Sequence, residues 1–229
     1  MNGLKEMQKT KKFYDTYGYV KQAREHVAEF DDSRVKKISE FVEGKRVLDI
    51  GCSDGTISRI LAGNKREVYG VDISKKAVDA AVKKGIKAFV CDVENDDLPF
   101  KSNYFDCIVA GEIIEHIFDT DAFIDKCKRV LKKNGVLIIT TPNCASLRAR
   151  LSLLLGRQPA WVEHRAKGGA GHIRAYTLKG LVSQLKEHKF KPEGIRTNEV
   201  KIPFIGTFSF LGDWFPSFGD GLVIKFRKK

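Results

Sequence analysis

The sequence predicts an α/β fold: one seven-stranded, mostly parallel sheet with an antiparallel C-terminal strand and helices on both faces. Three observations carry this. From Arg46 onward, short apolar runs alternate with segments of helical apolar spacing, the pattern of βαβ units. The first apolar run ends in a glycine-bearing turn that opens a helix, the place where an open α/β sheet binds its ligand. The last two apolar runs have no helix between them, which makes them an antiparallel pair.

In chain order, residues 1–45 form an N-terminal helical segment whose Val35, Ile38 and Phe41 lead into the first strand. Residues 47–50, 68–71, 88–91, 107–110 and 136–140 are apolar runs of the kind buried on both faces of a parallel sheet. Between them, Ile57, Ile60 and Leu61, then Val78, Ala81 and Val82, then Phe123, Ile124, Cys127, Val130 and Leu131, then Leu178, Leu181, Val182 and Leu185 form helical core stripes. Gly63 and Gly85 close two helices, and Ser74 and Thr120 cap two others. Residues 195–200 and 221–226 complete the sheet. Two irregular stretches remain, a lid or acceptor insertion at 144–175 and an aromatic loop at 201–220; loops this long are functional or disordered.

With 229 residues, 42% hydrophobic and 31% charged, the chain suits one globular domain with an elaboration. Apolar runs such as 136–139 and 153–155 fall far below the roughly 20 residues a bilayer span requires. Residues 1–12 are charged and lack the apolar core of a secretory leader, so a cytoplasmic protein is expected, with at most peripheral membrane contact. Five scattered cysteines without a C-x-x-C pair argue against a disulfide framework or zinc knuckle and for reduced, mostly buried thiols. The net charge of +12 admits nucleic acid, phosphorylated substrates and anionic membranes as partners and selects none of them.

The turn reads Asp49-Ile50-Gly51-Cys52-Ser53-Asp54-Gly55. Its two glycines let the backbone approach a ligand that a Cβ would exclude. Asp72 closes the second strand, where a carboxylate can accept hydrogen bonds from both ribose hydroxyls, and Asp92 stands at the corresponding end of the third. The G-x-x-x-G spacing departs from the G-x-G-x-x-G that accommodates a pyrophosphate, so NAD is the weaker reading. Asp54 would repel a pyrophosphate, yet suits the sulfonium or ammonium of a cationic ligand.

These residues resemble motif I and the later motifs of the Rossmann-like (class I) S-adenosylmethionine (SAM)-dependent methyltransferases, over roughly residues 46–190. The resemblance implies SAM as cofactor. By likeness, Asp49, Gly51 and Cys52 line its methionine moiety, Gly55 shapes the turn, Asp72 with Ile73 holds the ribose, Asp92 with Val93 contacts adenine, and Ala110 borders the cofactor from the fourth strand.

After the fourth strand, Glu112-Ile113-Ile114-Glu115-His116 forms an E-x-x-E-H array on the expected first turn of a helix. Positions i, i+3 and i+4 share a face, so two carboxylates and an imidazole make a half-shell for a divalent cation. Alternatively, the glutamates favour the helix dipole and His116 packs, or His116 serves as general base. The array is similar to that of the ubiquinone-biosynthesis O-methyltransferases and the RNA 3′-terminal 2′-O-methyltransferases. That likeness implies Glu112, Glu115 and His116 as ligands of Mg2+ or another divalent metal, Glu112 and His116 as catalytic residues, and His172 as completing the shell. Ile117 stands where the RNA enzymes carry a further histidine, which weakens the RNA reading. His26, His164 and His188 lack such grouping and read as surface residues.

Within 144–175, Leu147, Leu151, Leu154 and Leu155 fall on one helical face, and Arg148, Arg150, Arg157, Arg165, Lys167 and Arg174 face a single acid, Glu163. Gly168, Gly169 and Gly171 suit a lid. Within 201–220, Phe204, Phe208, Phe210, Leu211, Trp214, Phe215 and Phe218 form either a rim for an isoprenoid or lipid-linked acceptor, in peripheral contact with a membrane, or a cover for the sheet edge. The expected function is O-methylation of a small-molecule, quinone- or lipid-linked, or glycan acceptor. The alternatives are an RNA 2′-O-methyltransferase, for which no appended RNA-binding module is visible, and a non-catalytic SAM-binding regulator, against which the intact Gly51, Gly55, Asp72 and Asp92 speak.

Overall fold

A computed structural model describes residues 32–63, 65–159, 171–202 and 205–229. His26, Glu163, His164, Arg165, Lys167, Gly168, Gly169 and Phe204, and the N-terminal segment up to residue 31, lie outside the described residues.

Alternation within each strand builds the two sides of the core. Helix α1 (Asp32–Phe41) precedes β1 (Arg46–Ile50), α2 (Thr56–Ala62), β2 (Glu67–Asp72), α3 (Lys75–Lys83), β3 (Lys87–Val90) and β4 (Phe105–Gly111). After a short 3-10 turn (Ile114–His116) come α4 (Thr120–Val130), β5 (Leu131–Pro142), α5 (Leu147–Leu154), α6 (Leu178–Glu187) and β6 (Phe190–Thr197). Leu48, Ile50, Ile108, Leu137 and Ile139 point to one face with Phe123, Ile124 and Leu181 of α4 and α6. Val47, Cys107, Val109, Val136 and Ile138 point to the other with Ile38 and Phe41 of α1 and Leu61 of α2. Side chains of successive strand residues leave opposite faces, so a strand apolar at every position needs helices on both sides.

The sheet has seven strands in the order β3-β2-β1-β4-β5-β9-β6, where β9 spans Gly221–Lys228. The pairs from β3 to β5 are parallel, and β9 runs antiparallel to both β5 and β6. Strand order reverses at β1, so the carboxyl ends of β1 and β4 diverge into a crevice.

Several expectations shift. The third strand is an edge, with Phe89 and Val90 exposed, because no strand lies beyond β3 among the described residues. Ile60 and Val82 are also exposed, lying at the margins of their helical stripes. Ser74 caps α3 as expected, but Asp119, one residue before Thr120, caps α4 by accepting from the Ala122 amide at 2.9 Å. The stretch 201–220 is no loop: it holds the hairpin β7 (Val200–Ile202) and β8 (Gly206–Phe208), helix α7 (Ser209–Trp214) and a 3-10 turn (Pro216–Phe218). Val200 thereby leaves the sixth strand, which ends at Thr197 opposite Leu222. In α5, Leu147 and Leu151 are half-buried whereas Leu153, Leu154 and Leu155 are exposed, and the buried side chain is Ala149. All five cysteines are free thiols, four of them buried. No helix among the described residues is long and apolar enough to cross a membrane.

Candidate active site

The turn after β1 is built from backbone conformations that glycine favours. Gly51 and Gly55 take φ of 75° and 76°. The Gly51 and Cys52 amides both donate to the Val71 carbonyl, at 2.8 and 3.1 Å, which fastens the turn to the end of β2. Asp72 completes the joint: its carboxylate accepts from the Ser53 amide at 2.9 Å and from the Ser74 amide at 2.8 Å. The Gly51 turn and Asp72 therefore meet at one crevice, as a nucleoside site requires.

Other predicted cofactor residues take more specific places. Asp49 is buried and accepts a 2.5 Å hydrogen bond from Ser58 of α2, so its carboxylate braces the helix behind the turn. Burial raises its pKa to about 7, with the Asp72 charge adding to the rise and the Ser58 hydroxyl opposing it. Cys52 is buried over Gly70, where a Cβ would lie 2.6 Å from its Sγ; its backbone, not its thiol, is what can face a ligand. Ala110 is fully buried in the core, leaving its backbone and Gly111 at the crevice. Ile73 is half-buried beside Asp72. Asp92 organises the turn after β3, accepting from the Glu94 amide at 3.1 Å and the Asn95 side chain at 3.0 Å, and Val93 packs half-buried against the core. Asp54 is paired with Lys84 at 2.5 Å.

The E-x-x-E-H array does not lie on one helical face. Glu112 sits in a turn at φ 54°, and the 3-10 helix begins only at Ile114. Its carboxylate turns to Thr140, whose hydroxyl donates at 2.8 Å, and to Arg34, at 3.1 Å. Glu115, His116 and His172 instead converge, with one ligand atom of each within 4.8 Å of the others. The structure thus brings together three of the four predicted ligands and sets Glu112 apart.

His172 is carried in by a segment stitched to this turn. The Ile173 and Arg174 amides donate to the Glu115 carbonyl at 3.0 and 3.1 Å, and the Arg174 guanidinium donates to the Ile117 and Phe118 carbonyls. His116 Nδ1 lies 3.2 Å from the Gly171 carbonyl, which can only accept, so Nδ1 is the donor and the ring is oriented by it. Glu115 is 1% exposed and neither carboxylate oxygen has a hydrogen-bond partner. Burial raises its pKa to about 8, and the nearby Glu112 charge adds to the rise, while the neighbouring Thr141 hydroxyl and the Arg34 charge oppose it. A buried carboxylate without donors is costly unless a cation or a proton compensates it, so this donor set fits a divalent metal.

Sequence reasoning missed Arg34, Thr140 and Ile113, whose Cδ1 lies where a Cβ on Gly51 would come within 2.3 Å. No motif marks Arg34, because its partner is 78 residues away. His188, read as a surface residue, lies beside two exposed aspartates of α4, which its ring bridges.

Residues 48–139 match the model of a methyltransferase domain. The rat mitochondrial ubiquinone biosynthesis O-methyltransferase is 29% identical over 183 residues, covering 76% of this chain and 50% of the relative. That of Pelagibacter ubique is 30% identical over 130 residues, covering 56% of this chain and 54% of the relative. The chain spans about half the length of these curated relatives. Among solved structures, a SAM-dependent methyltransferase of Thermotoga maritima superposes with a TM-score of 0.71 at 19% identity, covering 96% of this chain and 99% of the other, which shows a common fold. Over residues 48–139 the chain is thus similar to a methyltransferase domain, and its strand order and overall fold are shared with a SAM-dependent methyltransferase.

Proposed function

We propose that the protein transfers the methyl group of SAM to a hydroxyl of a small-molecule, quinone- or lipid-linked, or glycan acceptor, with a divalent cation held by Glu115, His116 and His172. The observation that carries this reading is the buried Glu115 carboxylate, without a hydrogen-bond partner, among ligand atoms within 4.8 Å of one another. The relatives named as O-methyltransferases favour oxygen as the acceptor atom.

In such a transfer the acceptor oxygen forms a bond to the methyl carbon as the carbon–sulfur bond breaks, the sulfonium becomes a thioether, and the acceptor proton leaves. A bound cation would lower the pKa of that hydroxyl and hold its oxygen in place. The protein's part is positioning. The Gly51 turn and Asp72 fix the nucleoside side, while the hydrogen bonds from Ile173 and Arg174 to the Glu115 carbonyl keep the two halves of the donor set in register. His116, oriented by the Gly171 carbonyl, presents Nε2 either as a ligand or as acceptor of the departing proton. Phe118 and Ile173, close in sequence to His116 and His172, are exposed, and Leu153, Leu154, Leu155, Ile205 and Trp214 leave further apolar surface on the two late segments. This favours an apolar acceptor, met at a membrane surface or in solution, over RNA.

The test is methylation by labelled SAM of cell extract separated into lipid, small-molecule and RNA pools, before and after exhaustive chelation. Label in the lipid or small-molecule pool that chelation abolishes and Mg2+ or Mn2+ restores is the expected result. Full activity after chelation removes the cation from the reading, and label confined to RNA overturns the acceptor class.

A further inference from the structure

We infer that Glu112 is not a ligand of the cation but the anchor of Arg34, so that an ion pair ties helix α1 to the mouth of the cofactor crevice. What this says about ligands rests on the cation site proposed above; what it says about α1 stands apart from it.

Glu112 is held at three points. Its amide donates to the Thr140 carbonyl at 3.0 Å and to the Thr140 hydroxyl at 3.1 Å, and that hydroxyl in turn donates to Glu112 Oε1 at 2.8 Å. Thr140 is fully buried in β5, a central strand, so the anchor is rigid. Arg34 Nη1 completes the set at 3.1 Å from the same Oε1, with the two side chains only 18% and 29% exposed. The left-handed φ of 54° at Glu112 is a conformation that a non-glycine residue keeps only where its surroundings impose it. To join Glu115, His116 and His172, the Glu112 carboxylate would have to leave both Thr140 and Arg34. The same motif therefore splits its acids between two tasks: the Glu115 carboxylate faces His116 and His172, whereas Glu112 Oε1 is bound to Thr140 and Arg34.

The arginine end reaches a second fastening. One turn along α1, Lys37 donates to the carbonyls of Thr197 and Asn198 at the end of β6. Further along, Ile38 and Phe41 enter the core. The first turns of α1 are thus held at the carboxyl edge of the sheet by two cations, and Arg34 is the one paired with the Glu112 turn. Ile113, next to Glu112, lies over Gly51 of the cofactor turn. Arg34 is accordingly a positioning residue: it acts through Glu112 and the adjoining turn on the place where the sulfonium would sit.

Two measurements on the full chain test this. In Mn2+ titration followed by electron paramagnetic resonance, E115Q should weaken binding by more than about 100-fold, beyond what loss of an outer-shell partner costs, and E112Q by less than about threefold. In hydrogen exchange, E112Q and R34M should each speed exchange of residues 32–41 by about tenfold, the scale of one charge-assisted hydrogen bond. The double variant should add nothing further, and α6 should be unaffected. A merely structural lesion would instead spread to α6 and add in the double variant. Loss of Mn2+ by E112Q equal to that by E115Q overturns the ligand half, and unchanged or additive exchange overturns the anchor. If the unaltered chain binds no Mn2+, the cation reading and the ligand half fail together, and the exchange arm alone decides the anchor.

Discussion

Asp72 has two tasks in this structure, because the same carboxylate that joins the Gly51 turn to β2 is the group expected to meet the ribose. Asp72→Ala should weaken SAM binding by roughly 1.5–3 kcal/mol, the worth of hydrogen bonds to a charged acceptor; calorimetric titration checks it, and unchanged affinity rejects the ribose assignment. At this scale the sequence was informative where chemistry and backbone conformation coincide. Gly51, Gly55 and Asp72 are legible because a left-handed turn favours glycine and a strand end favours a terminal carboxylate. Glu112 was misplaced for an equally physical reason: the i, i+3, i+4 argument presumes helix from the first residue, and the chain reverses at Glu112 before a helix begins. Arg34 and Thr140 were invisible because a long-range ion pair leaves no local pattern.

Between elements, the feature without a sequence signature is the contact of α4 with α6. His188, just after α6, lies 2.9 Å from Asp125 through Nδ1 and 3.0 Å from Asp121 through Nε2. Gln184 of α6 adds bonds to Thr120 and Asp121 at 2.7 and 2.8 Å. Two carboxylate acceptors require protons on both ring nitrogens, hence the imidazolium. Burial alone would lower the His188 pKa, but the hydrogen bonds to Asp125 and Asp121 outweigh it and raise the value, while Asp121 also feels Arg174. With the folded pKa above the unfolded one, this contribution is complete below the ordinary histidine range and is lost as pH rises through the folded pKa. Both aspartates are mostly exposed, so its size is about 1 kcal/mol. His188→Gln should therefore lower the melting temperature by about 2–4 °C at pH 6 and by little at pH 9. Equal losses at both pH values would reject the charged clamp. Gly70→Ala makes a second case: the new Cβ would lie 2.6 Å from Cys52 Sγ and 2.9 Å from its Cβ. Overpacking of about 1–3 kcal/mol is expected, read as a lower melting temperature together with weaker SAM binding, since Cys52 belongs to the cofactor turn.

For the whole molecule, the alternation of apolar runs was enough to foresee the seven-stranded sheet and its antiparallel end, because strands buried on both faces and helices with one apolar stripe have few ways to pack. What periodicity could not supply was lateral order: nothing local in residues 87–90 marks them as an edge, and the packed segment at 201–220 resembles a loop because its elements are very short. If the crevice takes SAM, ligand at about 100 times its dissociation constant should stabilise the fold by roughly 2.7 kcal/mol, and NADH should not; a thermal shift with both ligands distinguishes the cofactor classes.

The position of β9 also bears on how the molecule comes to exist. Gly221–Lys228 lies between β5 and β6, so among the described residues β6 has no strand to join until β9 arrives, although β6 is synthesised earlier. The half of the sheet that carries the Gly51 turn needs no such wait, since β1 through β5 pair among themselves. On the ribosome the nucleoside side can therefore assemble while the far edge is still unpaired, and pulse labelling during refolding should find amides of β1 and β4 protected before those of β6.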